Sequence, residues 1–356
     1  MAAPASEPAP PPAGACLGLA WRPFRLTLPR PLHTARGPIA EKRGWLLRLR
    51  APGGGLGWGE AAPLDGVLEP LAVAMAGLGG LAERQALEQS LPDLPPALGF
   101  ALGAALAELD GLPRRRWLPP PPPALLLPAG EAALEVLGAA LSAGWAPGSG
   151  NGSLPFTCKW KVATADDRLE RRLLERLLLR LPPGSRLRLD ANGGWDRPTA
   201  FAWAERLQRE CRLEWIEQPL DPHDQEGLAA LLRRCPGLPV ALDEALQCHP
   251  GLRERWDGWQ VRRPGQEGDP RPLLAELERG RPRLMLSTGF ETGIGRRWLH
   301  HLAALQIEGP TPVAPGLAPA WQAAGDLGST DPERVWRAAG QGGEAPLEPN
   351  GEGTGP

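Results

Sequence analysis

Two lysines and three acids fall at the ends of predicted strands, at spacings that bring them together. Lys159 and Lys161 flank Trp160 in the strand-like segment TCKWKV, residues 157–162. In an extended chain successive side chains alternate, so both lysines share one face and the tryptophan takes the other. Asp190, Glu217 and Asp243 close three further strand-like segments: RLRLD (186–190), LEWIE (213–217) and PVALD (239–243). From Asp190 to Glu217 is 27 residues and from Glu217 to Asp243 is 26, one strand–helix unit each.

Three carboxylates with no neighbouring His or Cys make a hard, oxygen-rich site. Such a site suits Mg2+, which takes few protein ligands and keeps positions for water or substrate oxygens. A lysine beside it points to removal of a proton next to a carboxylate. That proton is weakly acidic, and its loss creates an enediolate whose charge a divalent cation stabilises. A lysine base must be neutral part of the time, and a neighbouring cation favours the neutral form. Taken singly, a strand-end Asp is ordinarily a helix cap and a pair of strand lysines a solvated face. Five such residues at matching positions of four successive units favour chemistry.

The elements that must position these residues can be read from the pattern around them. Beyond a proline run, Pro119–Pro123, strand-like and helical segments alternate strictly. Seven strand-then-helix units begin at residues 124, 157, 186, 213, 239, 259 and 283. Seven units in a row predict a parallel barrel. A doubly wound open sheet gives the same alternation, but acids from three consecutive units converging on one rim favour the barrel, whose active sites lie at the C-terminal ends of the strands. Upstream, strands are expected over 17–28 and 44–49, then a Gly-rich turn and short strand in GGGLGWGEAAPL (53–64), then helical spacing over 66–110, including LAERQALEQSL. Strands followed by helices predict an α+β domain. The expected organisation is a disordered Pro/Ala-rich stretch over 1–15, the α+β domain over 16–120, the barrel over 121–325, and a C-terminal segment ending in a flexible tail over 326–356.

Composition excludes several classes. A formal net charge of -2, with no basic run beyond Arg114–Arg116, gives no footprint for nucleic acid. Five dispersed cysteines without a CxxC pair argue against a disulfide framework and a structural zinc. None of the five histidines closes a strand, which disfavours zinc or iron. The N-terminus lacks the features of a secretory signal, and no apolar run is long enough to span a bilayer. A cytoplasmic enzyme acting on a small carboxylate is expected.

These motifs together resemble the enolase superfamily, and within it the o-succinylbenzoate synthases. The resemblance runs over roughly residues 20–325 and is carried by GWGEAAPL, KWK (159–161), RLDANGGW (188–195), WIEQPL (215–220), ALDEAL (241–246) and STGFETGIG (287–295). It implies an α/β fold, a modified (β/α)7β barrel with an N-terminal α+β capping domain. It implies that Asp190, Glu217 and Asp243 hold Mg2+, that Lys161 is the base, and that Lys159, Arg188 and Asn192 hold the substrate. It further implies that the turn Ser287–Thr288–Gly289 cradles a carboxylate through backbone N–H groups. The capping domain would cover the substrate with segments around 30–43 and 53–66.

One position departs from the family pattern. A second lysine before a proline is expected on the sixth barrel strand, and the chain has Arg263 before Pro264. Arginine stays protonated and cannot serve as a base. Racemases and epimerases of the superfamily need a base on each face of the substrate, so Arg263 argues against an N-acylamino acid racemase. A dehydratase needs one base, and Arg263 can still supply fixed positive charge. A muconate cycloisomerase, which also works with one lysine, stays open, as does a barrel that binds without turnover.

Overall fold

The computed structural model describes residues 10–34, 37–113, 116–144 and 154–340. The N-terminal part is a four-stranded antiparallel sheet covered by helices. Strands β1 (Cys16–Thr34), β2 (Gly37–Arg50) and β3 (Leu56–Ala61) are followed by α1 (Glu69–Leu78), β4 (Leu81–Glu83), α2 (Arg84–Ser90) and α3 (Pro96–Leu109). The sheet order is β3-β2-β1-β4. Helix α3 is almost wholly buried and lies on β3. Gly57 and Gly59 make that approach possible: a Cβ on either would stand 1.9 or 2.0 Å from a carbonyl oxygen of α3, Ala105 or Ala101 respectively.

Two local expectations are corrected here. LAERQALEQSL opens as strand, not helix: Leu81–Glu83 pairs with Cys16–Gly18, and the helix begins at Arg84. An unpaired edge on β1 outweighs the helical spacing of a short segment. The Pro/Ala-rich stretch was expected to be disordered through residue 15. Its end is instead tied down, with Arg84 donating to Pro11 O and the amides of Arg84 and Gln85 donating to Ala15 O and Ala13 O. Residues 1–9 lie outside the described residues.

The second part alternates strand and helix. It runs β5 (Leu125–Leu127), α4 (Ala132–Ser142), β6 (Thr157–Lys161), α5 (Asp167–Arg180), β7 (Arg186–Asp190), α6 (Arg197–Leu207), β8 (Leu213–Glu217), α7 (Gln225–Arg234), β9 (Val240–Leu242), α8 (Glu244–Cys248), α9 (Leu252–Arg255), β10 (Trp259–Arg262), α10 (Arg271–Glu278), β11 (Leu284–Leu286) and α11 (Gly293–Glu308). The seven strands are parallel and neighbour one another in chain order, from β5 to β11. The extended segment around Gly316 fills the remaining gap. It pairs with β11 through Ser287 and with the start of β5 through the Ala124 amide on Pro315 O. Seven strand–helix units and a closing extended segment give the (β/α)7β form.

Alternation sorts the strand side chains as expected. Trp160 points outward, fully buried against Trp203 and the leucines of α5. Trp215, Ala241, Val261, Met285 and Val313 fill the barrel floor. Past residue 326, where the pattern fades, a short α12 (Pro332–Ala338) still folds and sets Val335 and Trp336 into an apolar cluster with Phe24, Leu46 and Trp58 of the capping sheet. The last fifteen residues, expected to form a flexible tail, lie outside the described residues.

Candidate active site

The strand register brings the candidate residues to one rim. Lys161 pairs with Asp190 across β6 and β7, and Asp190 with Glu217 across β7 and β8. Asp243 lies one residue past β9. None of the three acids caps a helix with its side chain: α6 and α7 are capped by Asp196 and Asp224, and Asp243, at the N-cap position of α8, makes no side-chain cap bond. The capping explanation for strand-end acids therefore fails here.

All three carboxylates are buried, at 2% exposure or less. Each is engaged by cations or dipoles of the chain. Lys159 Nζ stands 2.8 Å from Asp190 Oδ2 and 2.6 Å from Glu217 Oε1. Burial pulls the Lys159 ammonium toward neutrality, but Asp190, Glu217 and Asp243 outweigh it and hold it charged well above the usual lysine range. Burial pushes the Glu217 carboxyl up, with Asp190 and Asp243 adding to the rise against the pull of Lys159. Lys161 is placed differently. Its Nζ donates to Asn192 Oδ1 at 2.8 Å and lies 3.7 Å from Asp190. Asn192 sits at φ 45°, a left-handed conformation Asn tolerates, and its amide also donates to Glu244 Oε1 at 3.0 Å.

On the far side Arg263 grips Asp243 with both Nε and Nη2, while its Nη1 donates to Thr288 O at 2.6 Å. Gln218 follows Glu217 at φ 39° and accepts from the amides of Asp243 and Ala245, which fixes the turn carrying Asp243. Glu170 accepts from the amides of Ala163, Thr164 and Ala165, pinning the loop that leaves Lys161. Neither Gln218 nor Glu170 was singled out in the sequence; a Glu following a lysine strand by nine residues carries no visible signal, whereas Gln218 and Glu244 sit inside quoted motifs.

Arg188 lies two residues before Asp190 on β7, opposite Lys159. It is fully buried, with Nε 2.5 Å from Glu214 and the guanidinium stacked 4.0 Å over Trp215. Its Nη1 and Nη2 have no hydrogen-bond partner among the described residues.

The turn Ser287–Thr288–Gly289 corrects an expectation. Its backbone N–H groups do not form an open cradle. Those of Ser287 and Thr288 donate to Arg262 O and Gly316 O as part of barrel closure, and that of Gly289 donates to Glu291 Oε1 at 2.7 Å. The helix opens four residues later, with Thr292 as its cap. Of the segments expected to cover the substrate, 30–43 is the tip of the β1–β2 hairpin, with residues 35–36 outside the described part. The other, 53–66, is fastened to the barrel by Gln266, which bonds Leu64 N and Ala62 O.

Among the described residues no three Asp, Glu, His or Cys are gathered at metal-binding spacing. Lys159 stands between Asp190 and Glu217, and Arg263 draws Asp243 to its own side. The donor set nonetheless fits Mg2+: three buried carboxylates at adjoining strand ends, with Glu244 a fourth beside them. Burial and the neighbouring Asp243 and Asp190 push Glu244 up to about 8. So many buried acids in one place call for divalent charge.

Comparison with known proteins places the chain in a family. Residues 156–255 match the family described as "Enolase C-terminal domain-like". The o-succinylbenzoate synthase of Thermosynechococcus vestitus is 34% identical over 296 residues, 79% of this chain and 87% of that protein. The crystal structure of o-succinylbenzoate synthase from Thermosynechococcus elongatus BP-1, complexed with Mg in its active site, superposes with a TM-score of 0.75 at 32% identity, covering 90% of this chain and 99% of that one. The muconate lactonizing enzyme of Pseudomonas fluorescens shares the fold at 17% identity, with a TM-score of 0.62 over 82% of this chain and 85% of that one. The chain therefore belongs to the o-succinylbenzoate synthase family of the enolase superfamily and is a lyase of that type.

Proposed function

We propose that the chain dehydrates 2-succinyl-6-hydroxy-2,4-cyclohexadiene-1-carboxylate to 2-succinylbenzoate, as a cytoplasmic step toward menaquinone or phylloquinone. The observation that carries this reading is the asymmetry of the rim. One lysine, Lys161, is free of a close acid pair, while the opposite side holds Arg263, a cation that cannot take a proton.

Asp190, Glu217 and Asp243 would hold Mg2+. When bound, Mg2+ supplies the positive charge that a carboxylate needs as the adjacent carbon loses its proton. Lys161 Nζ takes that proton, oriented by Asn192. The electron pair left on carbon moves into the ring as the C–O bond to the hydroxyl breaks. The Lys161 ammonium returns its proton to the departing hydroxide, so water leaves from the face on which Lys161 acts, and the ring becomes aromatic. Lys159 and Arg263 stay charged throughout and give the dianionic substrate fixed cations. Arg188 gives support from below through its unpartnered Nη groups, and Ser287, Thr288 and Gly289 line the far wall.

The test is absorbance-monitored turnover of this diene with Mg2+ and with EDTA. Conversion that needs Mg2+ and vanishes in Lys161→Ala supports the reading. A folded, Mg2+-loaded wild type that leaves the diene unchanged sinks it and turns attention to cycloisomerisation or to binding without turnover.

A further inference from the structure

The chain contains 36 arginines and three lysines. Two of the three are Lys159 and Lys161. The third, Lys42, is on β2 of the capping domain, far from them in sequence, yet it too reaches the seam at the barrel rim. In a chain that otherwise meets its need for positive charge with arginine, a lysine marks a place where a compact point charge is required and a guanidinium fork does not serve.

Lys42 is 4% exposed. Its ammonium donates to Gly289 O and lies 3.9 Å from Glu60 Oε1. Glu60, on β3, is equally buried and reaches the same loop. Its Oε2 accepts from Thr292 N at 2.8 Å, Thr292 Oγ1 at 2.6 Å and Gly295 N at 3.2 Å, closing the N-terminus of α11 from the other domain. Within the loop Glu291 holds Thr288 Oγ1 and Gly289 N. Thr288 O is in turn the anchor for Arg263 Nη1, and Arg263 clamps Asp243. A run of polar contacts, buried at Lys42 and Glu60 and part-buried at Arg263, thus leads from the capping sheet through the 288–289 backbone to one of the candidate metal carboxylates.

We propose that Lys42 and Glu60 are positioning residues: by fixing the 288–292 loop from the capping domain they set Arg263, and through it Asp243. Docking of the capping domain is then a condition for correct placement of an acid in the barrel, besides covering the substrate. This rests on the proposed function only for the task given to Asp243.

The test needs neither metal nor substrate, so a failed turnover assay leaves it intact. In protein labelled with 15N-arginine, the Arg263 Nε–H resonance is identified by its loss in Arg263→Lys. In wild type that proton is held by Asp243, with Nε 2.9 Å from Oδ1, and slow exchange with water is expected. In Lys42→Met and in Glu60→Gln its shift is expected to change and its exchange to accelerate about tenfold, the size expected from weakening one hydrogen bond of the clamp. Glu108→Gln is the control. It weakens another polar tie across the domain seam, Glu108 with Arg297 at 2.6 Å, without touching the 288–292 loop. It is expected to lower the melting temperature and leave the Arg263 resonance in place. An Arg263 signal unmoved in the Lys42 or Glu60 variants, with melting lowered as in Glu108→Gln, overturns the proposal and reduces both residues to domain glue. Either variant alone suffices should the other fail to fold.

Discussion

Arg263 meets Asp243 edge to edge, with Nε 2.9 Å from Oδ1 and Nη2 2.5 Å from Oδ2. Asp243 is 1% exposed, so this guanidinium is what makes its charge tolerable inside the rim. A buried acid stripped of its partner costs about 3–5 kcal/mol. Arg263→Met should therefore lose stability of that order in metal-free buffer, and Mg2+ should restore more of it than it adds to wild type. Thermal melts of both proteins in EDTA and in Mg2+ measure this. Equal Mg2+ effects on the two would show that the ion does not reach Asp243.

The paired lysines should separate stability from turnover. Lys159 bridges two buried carboxylates, and Lys159→Met leaves both without it, a loss of about 3–5 kcal/mol before metal is added. Lys161 is more exposed and touches Asp190 only at 3.7 Å. Lys161→Met should cost about 1 kcal/mol or less in stability, while turnover falls by on the order of a thousandfold or more, as removal of a proton-transfer group does. Denaturant titration and steady-state rates on the two variants decide it. A Lys161→Met enzyme that still turns over would take the base role from Lys161.

Local period and unit spacing made Lys159, Lys161, Asp190, Glu217 and Asp243 legible, because a barrel places every strand end on one rim. The same alternation marked Trp160 as outward-facing. What could not be read was which cation would meet which acid: Arg263 reaches back one strand to Asp243, and Lys159 across two, and no local pattern encodes such partners. The turn at 287–289 failed for a related reason. Its N–H groups close the barrel with Gly316 and satisfy Glu291, contacts between distant parts of the chain or with a side chain whose direction sequence does not give. Strand β4 and helix α12 were missed because each is short and folds only against a partner, β1 in one case and the outer face of the capping sheet in the other.

The glycines of GWGE should prove intolerant of even one methyl group. A Cβ at Gly57 would meet Ala105 O at 1.9 Å, and one at Gly59 would meet Ala101 O at 2.0 Å. Both obstacles are backbone atoms of a fully packed helix and cannot turn aside. Gly57→Ala or Gly59→Ala should destabilise the chain by about 3 kcal/mol or more, with β3 and α3 forced apart. Gly53→Ala, in the preceding turn where a Cβ meets nothing within 4 Å, should change little. Melting temperatures of the three variants test the contrast, and a wild-type value for Gly59→Ala would mean that α3 can shift on the sheet.

His300 should make part of the stability depend on pH. Its ring lies on α11 with Nε2 buried and without a hydrogen-bond partner among the described residues. Burial, and then Arg296 beside it, push its pKa down to about 4, against a small opposing pull from Glu291. In the unfolded chain a histidine titrates near 6.5. Above that value the ring is neutral in both states and contributes no pH dependence. Between about 6.5 and 4 the unfolded chain binds a proton that the folded chain refuses, so stability falls as pH falls. The loss should be on the order of 1–2 kcal/mol after allowance for partial exposure of the ring. His300→Gln removes this titration, so the gap in stability between wild type and variant should narrow or reverse from pH 7.5 to pH 4.5. Urea unfolding at the two pH values gives the comparison. A gap that stays constant would mean that His300 takes up its proton in the folded chain as readily as in the unfolded one.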